Sequence, residues 1–359
     1  MSRALDSLAA FARSRAAPLY FLSAAAALAV AAVAGVALGS TEIGWESVLR
    51  TVFSKFLPEG WIDLGGVTEA ERVIIWQIRM PRVIVGGLAG CGLAVAGTQV
   101  QAVFRNPLAE PSVIGSSQGA ALGAVTAFVT ELATRSALWL PLFAFSGALI
   151  ALFTVYAVAS RAGRTPVATL LLAGIALGSL ISAATSMLIS LNFVNWQVAS
   201  EIVFWMMGGL DGRTWTHVWI SAPLVAIGAS VAFWYVRDLD LMLLGEEASA
   251  SLGVEVEQVK RSVLATAALL TGTAVAVSGV IGFVGLVVPH VIRILLGPAH
   301  RALLPASILS GAAFLIGCDI LARTVYAPTE LRLGVVTALF GAPLFLYLLR
   351  RKRMEVAVL

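Results

Sequence analysis

The feature that most limits what this chain can become is a succession of apolar runs, each about as long as a bilayer is thick and almost free of charge. A hydrocarbon core of about 30 Å takes about 20 apolar residues wound as a helix. Such runs occur at Leu19–Gly39, Val83–Phe104, Ser112–Thr130, Leu138–Ser160 and Val167–Leu191. They continue at Val218–Val236, Ser262–Phe283, Leu303–Ala322 and Leu333–Leu349, and a shorter one at Leu286–Leu296 makes ten. Backbone amides in lipid find no water, so each segment must bond to itself as a helix or join a closed barrel. The runs therefore predict an all-α polytopic membrane protein of about ten transmembrane helices, with residues 1–359 forming one membrane domain. Phe193–Gly209 reads as a further half-helix that does not cross. The first run follows Arg3, Arg13 and Arg15, and the small residues at Ala34–Ser40 resemble a cleavage site. It is longer than the roughly 7–15 residues of a signal-peptide core, so it reads as a retained anchor.

Charge placement sorts the remaining classes. Only 12% of residues are charged, against about 25% in soluble domains, and the net charge is +4. The arginines lie scattered between apolar runs, which argues against nucleic-acid binding. With ten spans both termini share a side, and fifteen lysines and arginines fall there against nine opposite. That bias predicts cytoplasmic termini. Cys91 and Cys318 lie inside apolar segments and read as packed thiols, while His217, His290 and His300 make no ligand pattern, so no metal is expected. No Gly-Lys dipeptide occurs, which excludes a phosphate loop of the G-x-x-x-x-G-K type.

Three stretches at the ends of the runs carry chemistry. Arg79-Met80-Pro81-Arg82 opens the second run, with two arginines expected to project together at the membrane surface, as interfacial anchors or as receptors for a partner's carboxylates. Arg105-Asn106-Pro107-Leu108-Ala109-Glu110-Pro111 holds prolines four apart and so cannot be a regular helix. The third is the segment about 238–260, where Ala248 and Leu252 recur at i, i+4 and Gly253 is placed to stop a short surface helix. Gly97/Pro107 and Gly279/Pro289 share a spacing on runs of opposite direction, a trace of an inverted repeat.

Taken together, RMPR, the Gly97 to Pro111 stretch ending in NPLAEP, Gly245-Glu246-Glu247-Ala248 with Leu252-Gly253-Val254, GFVGLVVPHVIR, and Glu330-Leu331 through Gly341-Ala342-Pro343 resemble the FecCD-type permeases. These are the membrane subunits of type II ABC importers for haem, ferric siderophores and cobalamin, and the resemblance runs from about Trp76 to Arg350. It implies an inverted-repeat fold with ten spans per subunit, a second copy forming a homodimer around one pathway, two separate ATPase subunits that hold ATP and magnesium, and a periplasmic binding protein. The chain itself would be no enzyme and would bind no cofactor. By position, the resemblance assigns binding-protein docking to Arg79, Arg82 and Arg323. It assigns ATPase coupling to Gly245, Glu246, Glu247, Ala248, Leu252 and Gly253, and the cytoplasmic gate to Leu108, Val167 and Ala168. Ser179, Ser182, Ser186 and Thr337 would line the pathway. Arg332 stands where the family often has proline, a cation placed to meet an anionic ligand or to snorkel to the interface. Ser116–Gly123 looks more like haem permeases, and Phe204–Gly209 also occurs in similar form in cobalamin permeases; haem is the expected cargo. A gradient-driven carrier would need an ionisable residue within a span, and Asp319 is the candidate, though Arg323 stands four residues on as a partner.

Overall fold

The computed structural model describes residues 2–39, 41, 43–58, 61–136, 138–161, 164–192 and 196–356. Ser40 of the cleavage-like stretch and Phe193 of the expected half-helix lie outside the described residues, as do the side chains of Arg3, Arg13, Arg15, Arg351, Lys352 and Arg353. Every apolar run becomes a helix. In chain order the helices used below are α1 (Ser2–Ala37), α2 (Trp45–Ser54), α3 (Glu69–Val103), α4 (Ser116–Val129), α5 (Trp139–Ala159), α6 (Val167–Leu191) and α7 (Trp196–Met206). They continue as α8 (Trp215–Trp234), α9 (Val236–Met242), α10 (Glu246–Ser251), α11 (Val256–Ser278), α12 (Val284–Leu296), α13 (His300–Thr324) and α14 (Leu333–Val356). Among the described residues no β-strand occurs beyond an isolated bridge at Arg161 and Arg164.

Among the described residues seven helices are long and apolar enough to cross a membrane: α1, α3, α5, α6, α8, α11 and α13. At 1.5 Å per residue, the 14 residues of α4 and 13 of α12 fall short of a bilayer core. Each short helix is preceded by irregular chain. Before α4 come Arg105–Glu110 and a 3₁₀ turn at Pro111–Ile114, as the two prolines require; before α12 comes Gly279–Phe283. The expected run Ser262–Phe283 is thus displaced: the helix starts at Val256 and ends at Ser278, because Val280, Ile281 and Phe283 are apolar residues of the break.

Irregular backbone at this depth must bond elsewhere, and the breaks satisfy one another. Gly209 N donates to Ser278 O at 2.8 Å, Leu333 N to Gly208 O at 3.1 Å and Gly334 N to Met207 O at 3.0 Å. The Glu110 carboxylate accepts Phe283 N at 3.0 Å, tying the break before α4 to the one before α12. Gly97 and Gly279, whose spacing hinted at a repeat, have different local structures. Gly97 lies inside α3, whereas Gly279 (φ 68) ends α11.

Burial identifies the centre of the bundle: 83% of the apolar window of α3 and 78% of that of α11 are buried, against 17% for α1 and 22% for α6. Without a hydrophobic force between helices in lipid, close contact is what holds them, and small residues permit it. A Cβ at Gly97 would lie 1.8 Å from Gly285 O on α12, and one at Gly90 would lie 2.2 Å from Gly311 O on α13. At both crossings α3 has room for backbone alone. Cys91 and Cys318 are free and buried.

Candidate transport path and its two charged ends

One end of the bundle gathers charge from four segments. Arg82, in the first turns after the π-helical stretch Ile74–Arg79 of α3, reaches Asp319 on α13 with Nε at 3.1 Å and Nη2 at 2.9 Å. Its Nη1 and Nη2 reach Glu330 at 3.1 and 2.8 Å, and Nη1 lies 3.2 Å from Asp211. Asp319 is also paired with Arg323 at 3.0 Å, the i, i+4 partner expected from the sequence. Arg332 pairs with Asp211 at 3.1 Å and lies 4.2 Å over the Phe204 ring. A guanidinium offers five donors in a planar fork, which is why one Arg82 can hold three carboxylates.

The expectation that Arg79 and Arg82 project together at the membrane surface is corrected for Arg79, which turns inward. Arg79 and Arg323 are each 5% exposed, and they turn to the end of α1. Arg79 donates to Val36 O at 2.9 Å, Ala37 O at 2.5 Å and Thr41 O. Arg323 donates to Leu38 O at 3.0 Å and Gly35 O at 2.9 Å. The last carbonyls of a helix have no intrahelical partner, and here two arginines from α3 and α13 supply the donors. Arg82 is nearly as enclosed, its side chain 12% exposed. In this subunit none of the three is a free receptor. The gradient-carrier reading loses its site in the same way: both Asp319 oxygens are occupied by arginines.

The carboxyls around Arg82 are not equivalent. Burial pushes Asp211 up, but its hydrogen bond with Glu330 and the charges of Arg82, Arg332 and Arg213 outweigh this and leave it below its usual range. Burial and the bond to Asp211 push Glu330 above its ordinary 4.5, and Arg82 does not fully offset them. Burial, opposed by Asp211 and reinforced by Arg82, brings Arg213 down to about 10. A carboxyl whose pKa rises on folding contributes most below its unfolded value and loses that contribution as pH rises through its folded value. Asp211 behaves oppositely, contributing above its unfolded value and losing that contribution as pH falls through its folded one. The thermal midpoint should therefore fall on titrating upward from about pH 4.5, and Glu330→Gln should flatten that limb. A slope unchanged in the variant would assign the loss elsewhere.

Between the ends lie polar cavities in an otherwise apolar wall. Ser179, Ser182 and Ser186 form one exposed stripe of α6. Ser179 and Ser182 line a 540 Å³ cavity with Ser112 and Gln118. Ser182, Ser112 and Gln118 also line a neighbouring 300 Å³ cavity together with Glu110, Thr271 and Met206. Gln118 Oε1 is buried there and accepts no hydrogen bond among the described residues. Ser186 lines neither. Thr337 is fully buried, its hydroxyl turned back to Gly334 O at 3.1 Å within α14, and it lines none of these cavities. Beside it the exposed face of α14 bounds an apolar 530 Å³ hollow with Met206, Met207, Val335, Ala338 and Leu339. Gln118 lines both cavities, a placement that nothing in its own stretch of sequence singles out.

The opposite end carries the expected short helix. Gly245 (φ 109) and Gly253 (φ 86) bracket α10 in conformations that favour glycine. Buried Ser249 donates to Leu241 O at 2.8 Å and to Gly245 O at 2.5 Å, which pins α10 to α9. Glu247, Ala248, Leu252 and Gly253 are left exposed, with Leu244 and Leu252 at 64% and 53%, while Glu246 is half-buried. Leu108 is half-buried, in a turn closed by Leu108 N to Asn106 Oδ1 at 3.0 Å. Val167 is half-buried and Ala168 exposed at the start of α6. Lys260, counted in the sequence only as a charge with a side, is buried among them.

The chain is similar in sequence or fold to several known proteins. Residues 27–351 match the FecCD transport family. A cobalamin import system permease of Halobacterium salinarum is 46% identical over 81% of this chain and 77% of its own length. A hemin transport system permease of Yersinia pestis is 43% identical over 78% and 84%. An iron(III)-citrate import permease of Bacillus subtilis is 39% identical over 79% and 83%. A metal-chelate type ABC transporter solved in an inward-facing conformation superposes with a TM-score of 0.78 at 27% identity, covering 93% of this chain and 99% of that one. The chain belongs to the FecCD transport family and is a membrane permease of a type II ABC importer.

Proposed function

We propose that the chain carries a metal tetrapyrrole, haem foremost, across the inner membrane as a homodimer driven by two separate ATPase subunits and supplied by a periplasmic binding protein. The observation that carries the cargo class is the wall. Met206, Met207, Val335, Ala338 and Leu339 present apolar surface, relieved by Ser179, Ser182 and Gln118. A large flat chelate with few charges suits such a wall better than an anionic hydroxycarboxylate complex, whose desolvation would be costly without paired charges. Relatives named for hemin and cobalamin, at 43% and 46% identity, support the class, and the second keeps cobalamin as the alternative cargo.

The Lys/Arg bias supports cytoplasmic termini, which sets the Arg82 end toward the periplasm and α10 toward the ATPases. Binding-protein carboxylates would meet the Arg82 end by competing with Asp211 and Glu330, whereas Arg79 and Arg323 serve from beneath by fixing α1. Leu244, Ala248 and Leu252 give α10 the exposed apolar positions that a groove in an ATPase would take. The deciding experiment reconstitutes the permease with its ATPase and binding protein in liposomes and measures ATP-dependent haem uptake against cobalamin and a ferric siderophore. Haem accumulation insensitive to both competitors supports the proposal. Uptake of cobalamin alone moves the cargo within the class, and uptake of the siderophore alone overturns the tetrapyrrole reading.

A further inference from the structure

Lys260 is a buried charge that neither the path nor the exposed face of α10 accounts for. It is 1% exposed, unusual for lysine unless paired. Its ammonium has three donors and three acceptors: Glu246 Oε2 at 2.7 Å, Glu257 Oε1 at 3.1 Å and Thr165 O at 3.0 Å. The acceptors belong to three segments. Glu246 opens α10, Glu257 lies in the first turn of α11, and Thr165 comes just before Pro166 and α6. Glu257 Oε1 also accepts Thr165 N at 3.1 Å, and the Ser160 and Thr165 hydroxyls bond at 2.8 Å. Both backbone groups of Thr165 are therefore held, one by the lysine and the other by the lysine's own partner.

We propose that Lys260 is the strut of the transport cycle, through which displacement of α10 reaches the start of α6 and so moves Val167, Ala168 and the serine-bearing wall. The inference rests on α10 being the segment that meets the ATPase. A buried ammonium with every donor engaged cannot exchange a partner for water at small cost, so α10 and Thr165 shift together. On its other side α10 is held to α9 by Ser249, which leaves Lys260 as the charged tie toward α6. Lys260 lines none of the cavities described above and acts through Glu246 and Thr165; it is a positioning residue.

The test uses the complete transporter in liposomes with haem and cobalamin as cargo. Cargo moved and ATP hydrolysed are measured in the same vesicles for wild type, Lys260→Met and Glu246→Gln. Spin labels at Ala168→Cys and Ala250→Cys report the distance between the start of α6 and α10. In Lys260→Met the ATPase should still bind and hydrolyse ATP, while cargo moved per ATP falls about tenfold. The label distance, single-valued through the wild-type cycle, should become broad. Glu246→Gln keeps an acceptor oxygen and should lie between, and it serves as the probe if Lys260→Met fails to fold. An unchanged transport ratio and unchanged distance in these variants overturn the strut. So does loss of ATPase binding by a folded Lys260→Met, which would make the lysine part of the docking surface. A wild-type complex whose ATPase does not engage α10 overturns the reading of α10 instead.

Discussion

Arg82→Leu should cost the folded subunit about 3–5 kcal/mol, the usual cost of removing one partner from a buried ion pair. Asp319 keeps Arg323 in the variant, but Glu330 and Asp211 lose the cation between them. Pairing the change with Glu330→Gln should recover part of the loss, because one of the two carboxylates left without that cation is then neutral, while Asp319 and Arg323 stay paired. Arg332→Leu is the control. Its pair with Asp211 is 28% and 50% exposed, and exposed pairs contribute only about 0–1 kcal/mol. Denaturant or thermal unfolding in detergent, followed by tryptophan fluorescence, measures all of them. An Arg82→Leu subunit that unfolds with wild type would show that the charged end is dispensable to the fold.

The second large effect is steric. Gly97→Ala should destabilise at or above the top of the about 1–3 kcal/mol usual for overpacking, because the new carbon meets Gly285 backbone at 1.8 Å and no side chain is there to yield. Gly317→Ala on α13 is the contrasting case. Nothing lies within 4 Å of the added carbon, so the loss of unfolded-state freedom should leave the protein neutral or more stable by up to about 1 kcal/mol. The two variants differ only in what faces the same methyl group. Equal unfolding midpoints would mean that the α3–α12 crossing opens without cost.

The helices were legible because lipid imposes a length and a composition that the sequence carries locally. The break at Asn106–Pro111 was equally local, since prolines announce it. The break at Gly279–Phe283 was not: Val280, Ile281 and Phe283 are as apolar as the helix before them, and only the convergence with Gly208 and Leu333 explains their conformation. Charged residues were the least legible. RMPR marked the right place, but the direction in which each arginine turned depended on Asp319, 237 residues away from Arg82, and on carbonyls of a helix already passed. Thr337 carries no local sign of its burial, because a threonine in the last span is polar in sequence wherever its side chain turns. Lys260 gave no signal at all, since a lysine at the end of an apolar run ordinarily lies in water.

The capping of α1 also sets an order of events during synthesis. Its first donor, Arg79, follows Ala37 by 42 residues, so it emerges early. Its second, Arg323, is 285 residues beyond Leu38. At about 5–20 residues per second, the first helix then waits roughly 10–50 seconds secured by one arginine only. A chain that stops short of residue 323 leaves that helix half-fastened for good. Full seating of the amino-terminal span is thus a mark that translation has passed α13.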